Sequence, residues 1–304
     1  MKDALAHGRR LFELVRFSHT AFALPFALLA ALMAWTTGAA ATPPRPWRGA
    51  ELAGILICMV AARTAAMAVN RLADAKWDAL NPRTAGRHIP TGRVSVPSAI
   101  TLVVICSGVF VAGTLLFLPN RLPLYLSAAV LAFLFGYSYT KRFTSWSHFY
   151  LGAALMLAPI SVWVAIRGPV VVHEPADLIP VVILGAAVLV WVAGFDILYA
   201  CQDLEFDRQV GLQSIPARWG LQAALWIAAL CHLATVALLA ALPHFYPHFG
   251  WLYRAGVGAV LVLLIYEHTL LRPDDLRRVN LAFFYVNVVV SGGLLLVGTL
   301  DLLL

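Results

Sequence analysis

Asn70, Asp74 and Asp78 in NRLADAKWD, and Asp196, Asp203 and Asp207 in DILYACQDLEFD, stand at the ends of long apolar runs. Side chains four apart project from one face of a helix, about 5–6 Å apart at Cβ. Each ladder therefore gathers negative charge that a membrane-embedded neighbourhood solvates poorly. Something cationic must neutralise it. The economical candidate is a pair of Mg²⁺ ions carrying a diphosphate, because Mg²⁺ takes one or two protein carboxylates and completes its shell with phosphate oxygens and water. The bland alternative makes Asp74, Asp78, Asp203 and Asp207 loop acids solvated at the interface. Helical spacing argues against it, as does the continuation of each polar face up the span, through Asn70 in one case and through Tyr199 and Asp196 in the other.

The elements that must position these residues are membrane helices. Of 304 residues 61% are hydrophobic and 12% charged, and the mean hydropathy is +0.82. Soluble domains carry about 25% charged residues. The apolar runs approach the roughly 20 residues that cross a bilayer and recur to residue 304, so the chain reads as a single all-α polytopic domain over 1–304. Nine spans are predicted, at 17–38, 50–70, 97–118, 122–140, 147–166, 178–200, 219–242, 250–270 and 281–303. Helix is the default because open sheet edges go unsatisfied in lipid, and no ten-residue alternation suggests a barrel. The first run reads as a span and not as a removable signal. Cys58, Cys106, Cys201 and Cys231 have no metal-ligand spacing and read as buried small apolar residues.

Sixteen of the 22 Lys and Arg fall on the side of the N-terminus and of both ladders, among them Arg71, Arg87, Lys141, Arg142 and Arg208, and five fall opposite. The positive-inside rule makes the first side cytoplasmic and places the C-terminus outside. The net charge of +7 thus reflects topology and lipid head groups, and gives no case for nucleic acid. Two cytoplasmic loops, 71–96 and 201–218, resemble each other: NPRTAGRHIPTGR follows the first ladder and RQVGLQSIPARWG the second. This suggests two related four-helix units plus a ninth span. If spans 2 and 6 are equivalent, both ladders face one central cavity.

NRLADAKWDALNPRTAGRHIPTG and YACQDLEFDRQVGLQSIPARWG resemble the two signature motifs of the UbiA superfamily of intramembrane prenyltransferases, NxxxDxxxD and a YxxxKDxxD-like pattern. FSHTAFALPFA and the Lys141–Arg142 pair after span 4 fit its bacterial branch, which contains 4-hydroxybenzoate polyprenyltransferases and menaquinone-pathway relatives. The resemblance implies nine helices around a cavity open to the cytoplasm and laterally to lipid, in a bacterial inner membrane. It implies that Asn70, Asp74 and Asp78 bind one Mg²⁺, that Asp203 and Asp207 bind another, and that the two ions hold a polyprenyl diphosphate. Tyr199 and Asp196 are expected at the same substrate surface. Gln202 stands where many members have Lys, so the diphosphate contact is expected from Arg142, Lys141 or Arg87. The implied reaction joins the prenyl group to a ring carbon of an aromatic acid, either 4-hydroxybenzoate or a dihydroxynaphthoate.

Arg63 lies seven residues before Asn70, two turns deeper in the span, where an unpaired guanidinium is costly. It has two readings: an ion pair with Asp196 or Glu267, or a planar fork for the carboxylate of the aromatic acceptor. His19, beside Ser18 and Thr20, is either an interfacial hydrogen-bonding residue or a group that orients an acceptor hydroxyl. Trp77, Trp146 and Trp219 lie near span ends and read as interfacial anchors. A secondary transporter is the rival from another class, since repeats with midplane polar groups describe those proteins. The acids here lie at cytoplasmic helix ends instead, which suits a surface-delivered diphosphate.

Overall fold

The computed structural model describes residues 22–39, 49–270 and 282–304, and among these there is helix and no strand. The α-helices are α1 (Leu24–Ala39), α2 (Gly49–Leu80), α3 (Val96–Thr114), α4 (Leu122–Thr140), α5 (Ser147–His173), α6 (Ile179–Ala200), α7 (Leu204–Val210), α8 (Ile215–Phe245), α9 (Trp251–Thr269) and α10 (Asn287–Leu303). Among the described residues seven helical stretches are long and apolar enough to cross a membrane, and the apolar part of α1, Leu24–Thr37, is shorter. The predicted span at 250–270 forms helix α9 but is not among the seven. Its charged Arg254 and Glu267 dilute its apolar character. The chain separates into two compact units, whose described residues are Gly49–Tyr139 in the first and 22–39, 140–270 and 282–304 in the second.

In the first unit α2 packs along α3, and two glycines set how closely. A Cβ on Gly54 would lie 2.8 Å from the Phe117 ring, and one on Gly113 would lie 2.9 Å from Cys58 Sγ. Membrane helices associate through such small-residue contacts because lipid offers no hydrophobic driving force between them. Ala61, Ala62, Phe110 and Leu131 form the packed centre. Ser95 caps α3 by accepting from the Ser98 N–H, with Pro97 in the first turn where its missing N–H costs nothing.

The α2 helix has 32 residues, about 48 Å at 1.5 Å per residue, whereas the hydrocarbon core is only about 30 Å thick. Asn70 to Leu80 therefore continue the helix where sequence assigned a loop from residue 71. Hydropathy falls there, but the backbone ladder persists.

The second unit is built on α5, α6 and α8. Gly152 of α5 allows the closest approach: a Cβ would overlap the Leu189 carbonyl oxygen of α6. Gly194 of α6 accommodates the His232 ring of α8 in the same way. Trp191 is enclosed by Phe22, Phe26 and Phe195. Toward the other end of α5, Arg167 and the Trp163 indole N–H both donate to Asp177. Asp301 accepts from the Gly250 and Leu252 N–H groups and so caps α9.

A buried polar cluster joins three helices of this unit. His232 Nδ1 and His268 Nε2 lie 3.0 Å apart, and Asn287 donates to Glu267 at 3.1 Å. Interhelical hydrogen bonds of this kind contribute about 0.6–2 kcal/mol each in membrane bundles. The cysteines are all free thiols. Cys201 and Cys231 are buried as expected, while Cys58, packed against Gly113, and Cys106 are only half-buried, because a residue at the edge of a helix contact has the same sequence signature as one in the core.

Candidate active site

In the first unit the ladder is one uninterrupted helical face. Asn70 Nδ2 donates to Asp74 Oδ2 at 2.8 Å, one turn on, and Arg71 donates to Asn70 Oδ1 at 3.2 Å. Asp78 is buried and forms an ion pair with Arg87 at 2.6 Å. Arg87 reaches it because the segment after α2 folds back. Asn81 Oδ1 accepts from the Arg83 N–H, Thr84 Oγ1 donates to the Asp78 carbonyl, and Val94 N–H bonds to the His88 carbonyl. Gly92 supplies the left-handed φ of +70° that this return needs.

Arg63 lies seven residues down the same helix, about 10 Å deeper, and its Nε is buried without a hydrogen-bond partner. The two acids proposed for an ion pair with it have other partners. Asp196 is paired with His148 and Glu267 with Asn287.

In the second unit the acids do not form a continuous ladder, which corrects the sequence reading. Helix α6 ends at Ala200, a 3₁₀ turn covers Cys201–Asp203, and α7 begins at Leu204. Asp203 has non-helical φ and ψ of −101° and 6°, so the spacing from Asp196 to Asp203 no longer measures two helical turns. Asp203 and Asp207 are both buried. The Ser214 hydroxyl, Lys141 and Asp203 all act electrostatically on Asp207. Lys141 and Asp203 act on Asp196 as well, so these acids share one electrostatic neighbourhood with Lys141. Gln202 turns away to bond the Tyr199 carbonyl at 3.3 Å. Arg142 is exposed beside Lys141. His19 lies outside the described residues.

Two observations bear on whether these residues fit a divalent cation. One carboxylate oxygen of Asp78 and one of Asp207 are buried without a hydrogen-bond partner, and a buried acceptor left unpaired costs about 1–3 kcal/mol, more when charged. A cation at each would satisfy it. Among the described residues no three His, Cys, Asp or Glu side chains form a self-contained metal cluster.

His148 and Ser214 were missed in the sequence. His148 is a single histidine in SWSHFY, and its partners lie 48 and 67 residues away, so no local pattern marks it. Ser214 was detectable as a helix cap before Ile215–Pro216.

The helical fold and the two acidic motifs together define an intramembrane prenyltransferase. The chain belongs to the UbiA prenyltransferase family, whose model matches residues 22–289. It is 33% identical to a 4-hydroxybenzoate octaprenyltransferase of Thiobacillus denitrificans over 78% of each chain. A second such enzyme, from Vibrio parahaemolyticus, is 32% identical over 77% of this chain and 79% of its own. Among solved structures, a UbiA homologue from Aeropyrum pernix K1 superposes with a TM-score of 0.81 at 33% identity, covering 94% of this chain and 98% of that one. A UbiA homologue from Archaeoglobus fulgidus, solved with GPP and Mg²⁺, shares the fold with a TM-score of 0.69 at 16% identity, covering 97% of this chain and all of that one.

Proposed function

We propose that this prenyltransferase moves a polyprenyl group from its diphosphate to a ring carbon of 4-hydroxybenzoate, a step of ubiquinone formation. The observation that carries the acceptor is the identity to 4-hydroxybenzoate octaprenyltransferases over more than three quarters of the chain. Asn70, Asp74 and Asp78 hold one Mg²⁺, and Asp203 and Asp207 hold another. The orphaned buried oxygens of Asp78 and Asp207 support this reading, as does the Mg²⁺ found with GPP in the Archaeoglobus fulgidus relative. When bound, Mg²⁺ offsets the negative charge that builds on the departing diphosphate.

The chain's own residues do the rest. Arg87, Lys141 and Arg142 draw the diphosphate toward the acids, with Arg87 already placed on Asp78. Water has to be kept from the reacting carbon, because it would otherwise capture the allylic cation. The C–O bond to diphosphate breaks, the ring carbon ortho to the hydroxyl forms the new C–C bond, and the ring proton leaves to diphosphate or water. Arg63, deep and with an unsatisfied Nε, binds the acceptor carboxylate.

Purified protein in nanodiscs, given octaprenyl diphosphate and each aromatic acid in turn, tests this assignment. C-prenylated 4-hydroxybenzoate is the expected product. Turnover of a dihydroxynaphthoate alone would move the enzyme to the menaquinone branch, and product from neither would end the proposal. Arg63→Ala should raise the Michaelis constant for the aromatic acid about tenfold or more, the value of a lost charged hydrogen bond, with a smaller effect on that for the donor. An equal effect on both would remove Arg63 from the acceptor.

The proposed setting is a bacterial inner membrane with the N-terminus and residues 71–96 and 201–218 cytoplasmic, supported by the Lys and Arg asymmetry. Single cysteines at Ala85 and Gln209, in a background lacking the native four, should resist an impermeant thiol reagent until cells are lysed. Labelling from outside would reverse the orientation.

A further inference from the structure

His148 is fully buried and makes two hydrogen bonds that fix its chemical form. Its Nε2 lies 3.3 Å from the Ile215 backbone N–H. An amide N–H can only donate, so Nε2 is the unprotonated acceptor, and the ring hydrogen therefore sits on Nδ1. There it is donated to Asp196 Oδ2 at 2.7 Å. The imidazole thus links the penultimate turn of α6 to the first residue of α8.

That first residue belongs to a turn held at three successive positions. Gln213 N–H bonds to the Lys141 carbonyl at 2.7 Å. The Ser214 hydroxyl accepts from the Ala217 N–H and acts on the Asp207 carboxylate. Ile215 N–H bonds to His148. Moving His148 moves the turn that carries Ser214, and the same segment is tied back to Asp207, whose carbonyl accepts from the Leu212 N–H at 2.9 Å.

We infer that His148 is a positioning residue for the acids of the second unit, orienting Asp196 through Nδ1–H and fixing the Ser214–Ile215 turn, and through it Asp207, by way of Nε2. The inference rests on the reading of Asp203 and Asp207 as cation ligands. Groups that orient ligands without touching the metal typically change metal affinity about 10- to 100-fold when removed.

Mn²⁺ binding to the whole protein in nanodiscs, followed by electron paramagnetic resonance without substrate, separates the possibilities. His148→Ala should weaken Mn²⁺ binding by about tenfold or more and speed hydrogen exchange at the Ile215 amide. His148→Gln, whose side-chain oxygen can take the place of Nε2, should restore slow exchange at Ile215 and much of the Mn²⁺ affinity. His148→Asn, which can keep only the donor to Asp196, should not. In steady state, His148→Ala should raise the Michaelis constant for the prenyl diphosphate and leave that for the aromatic acid within about twofold.

Folded His148→Ala with unchanged Mn²⁺ affinity would overturn the inference and leave the proposed function standing. If His148→Ala does not fold, equal Mn²⁺ affinities for the Gln and Asn variants would overturn it instead. A wild-type protein that binds no Mn²⁺ would fail the cation reading itself, and the inference with it.

Discussion

The two acidic segments look alike in sequence and are assembled in opposite ways. Residues 70–95 supply their own partners: Asn70 serves Asp74 one turn away, and Arg87 folds back onto Asp78 across nine residues. Residues 196–215 depend on distant chain. Asp196 takes His148 across 48 residues, Asp207 feels Lys141 as well as the nearby Ser214, and a 3₁₀ turn breaks the helix between the two acids. The shared Ile-Pro also differs. Ile89–Pro90 sits in a turn completed by Gly92, whereas Ile215–Pro216 opens α8 behind its Ser214 cap. One acidic segment is written locally and the other is a tertiary construction, so similar sequence need not give similar local structure.

The largest expected effect removes a carboxylate from either segment. Asp74→Asn and Asp203→Asn should each lower kcat/KM by about 100-fold or more, the scale of losing a group that stabilises developing charge, while the protein still folds. Near-normal transfer in one of the two would confine the chemistry to the other segment and end their equivalence.

A paired comparison of smaller effects sharpens the contrast in assembly. Ser214→Ala removes the α8 cap and the hydroxyl that acts on Asp207, and should cost about 1 kcal/mol of stability in a thermal melt. It should also weaken Mn²⁺ binding. Arg87→Gln removes a partly exposed ion pair and should cost less than about 1 kcal/mol, because Asp78 stays on a continuous helix whatever happens to the loop. A larger stability loss from Arg87→Gln than from Ser214→Ala would mean that the first segment is the more fragile of the two.

How much of this was legible in sequence follows from the same contrast. The long apolar helices were visible because each is a hydropathic run, and the spacing of Asn70, Asp74 and Asp78 was read correctly because it is a property of one helix. The continuation of α2 to Leu80 was not visible, since hydropathy reports the bilayer edge and not the end of the backbone ladder. The break at Cys201–Asp203 was hidden because those residues carry no Gly or Pro to announce it. His148 was invisible because its meaning lies in partners 48 and 67 residues away. The half-buried Cys58 and Cys106 show the remaining ambiguity, that hydropathy does not separate a side chain at the edge of a helix contact from one in the core.

The central claim is that both segments work by holding Mg²⁺ for prenyl transfer. Its most direct test is octaprenyl transfer to 4-hydroxybenzoate by the purified protein, measured before and after chelation with EDTA and again after Mg²⁺ is restored. Product formation should disappear with EDTA, return with Mg²⁺, and stay absent in Asp74→Asn and Asp203→Asn under both conditions. Transfer that continues at its original rate in excess EDTA would contradict the account.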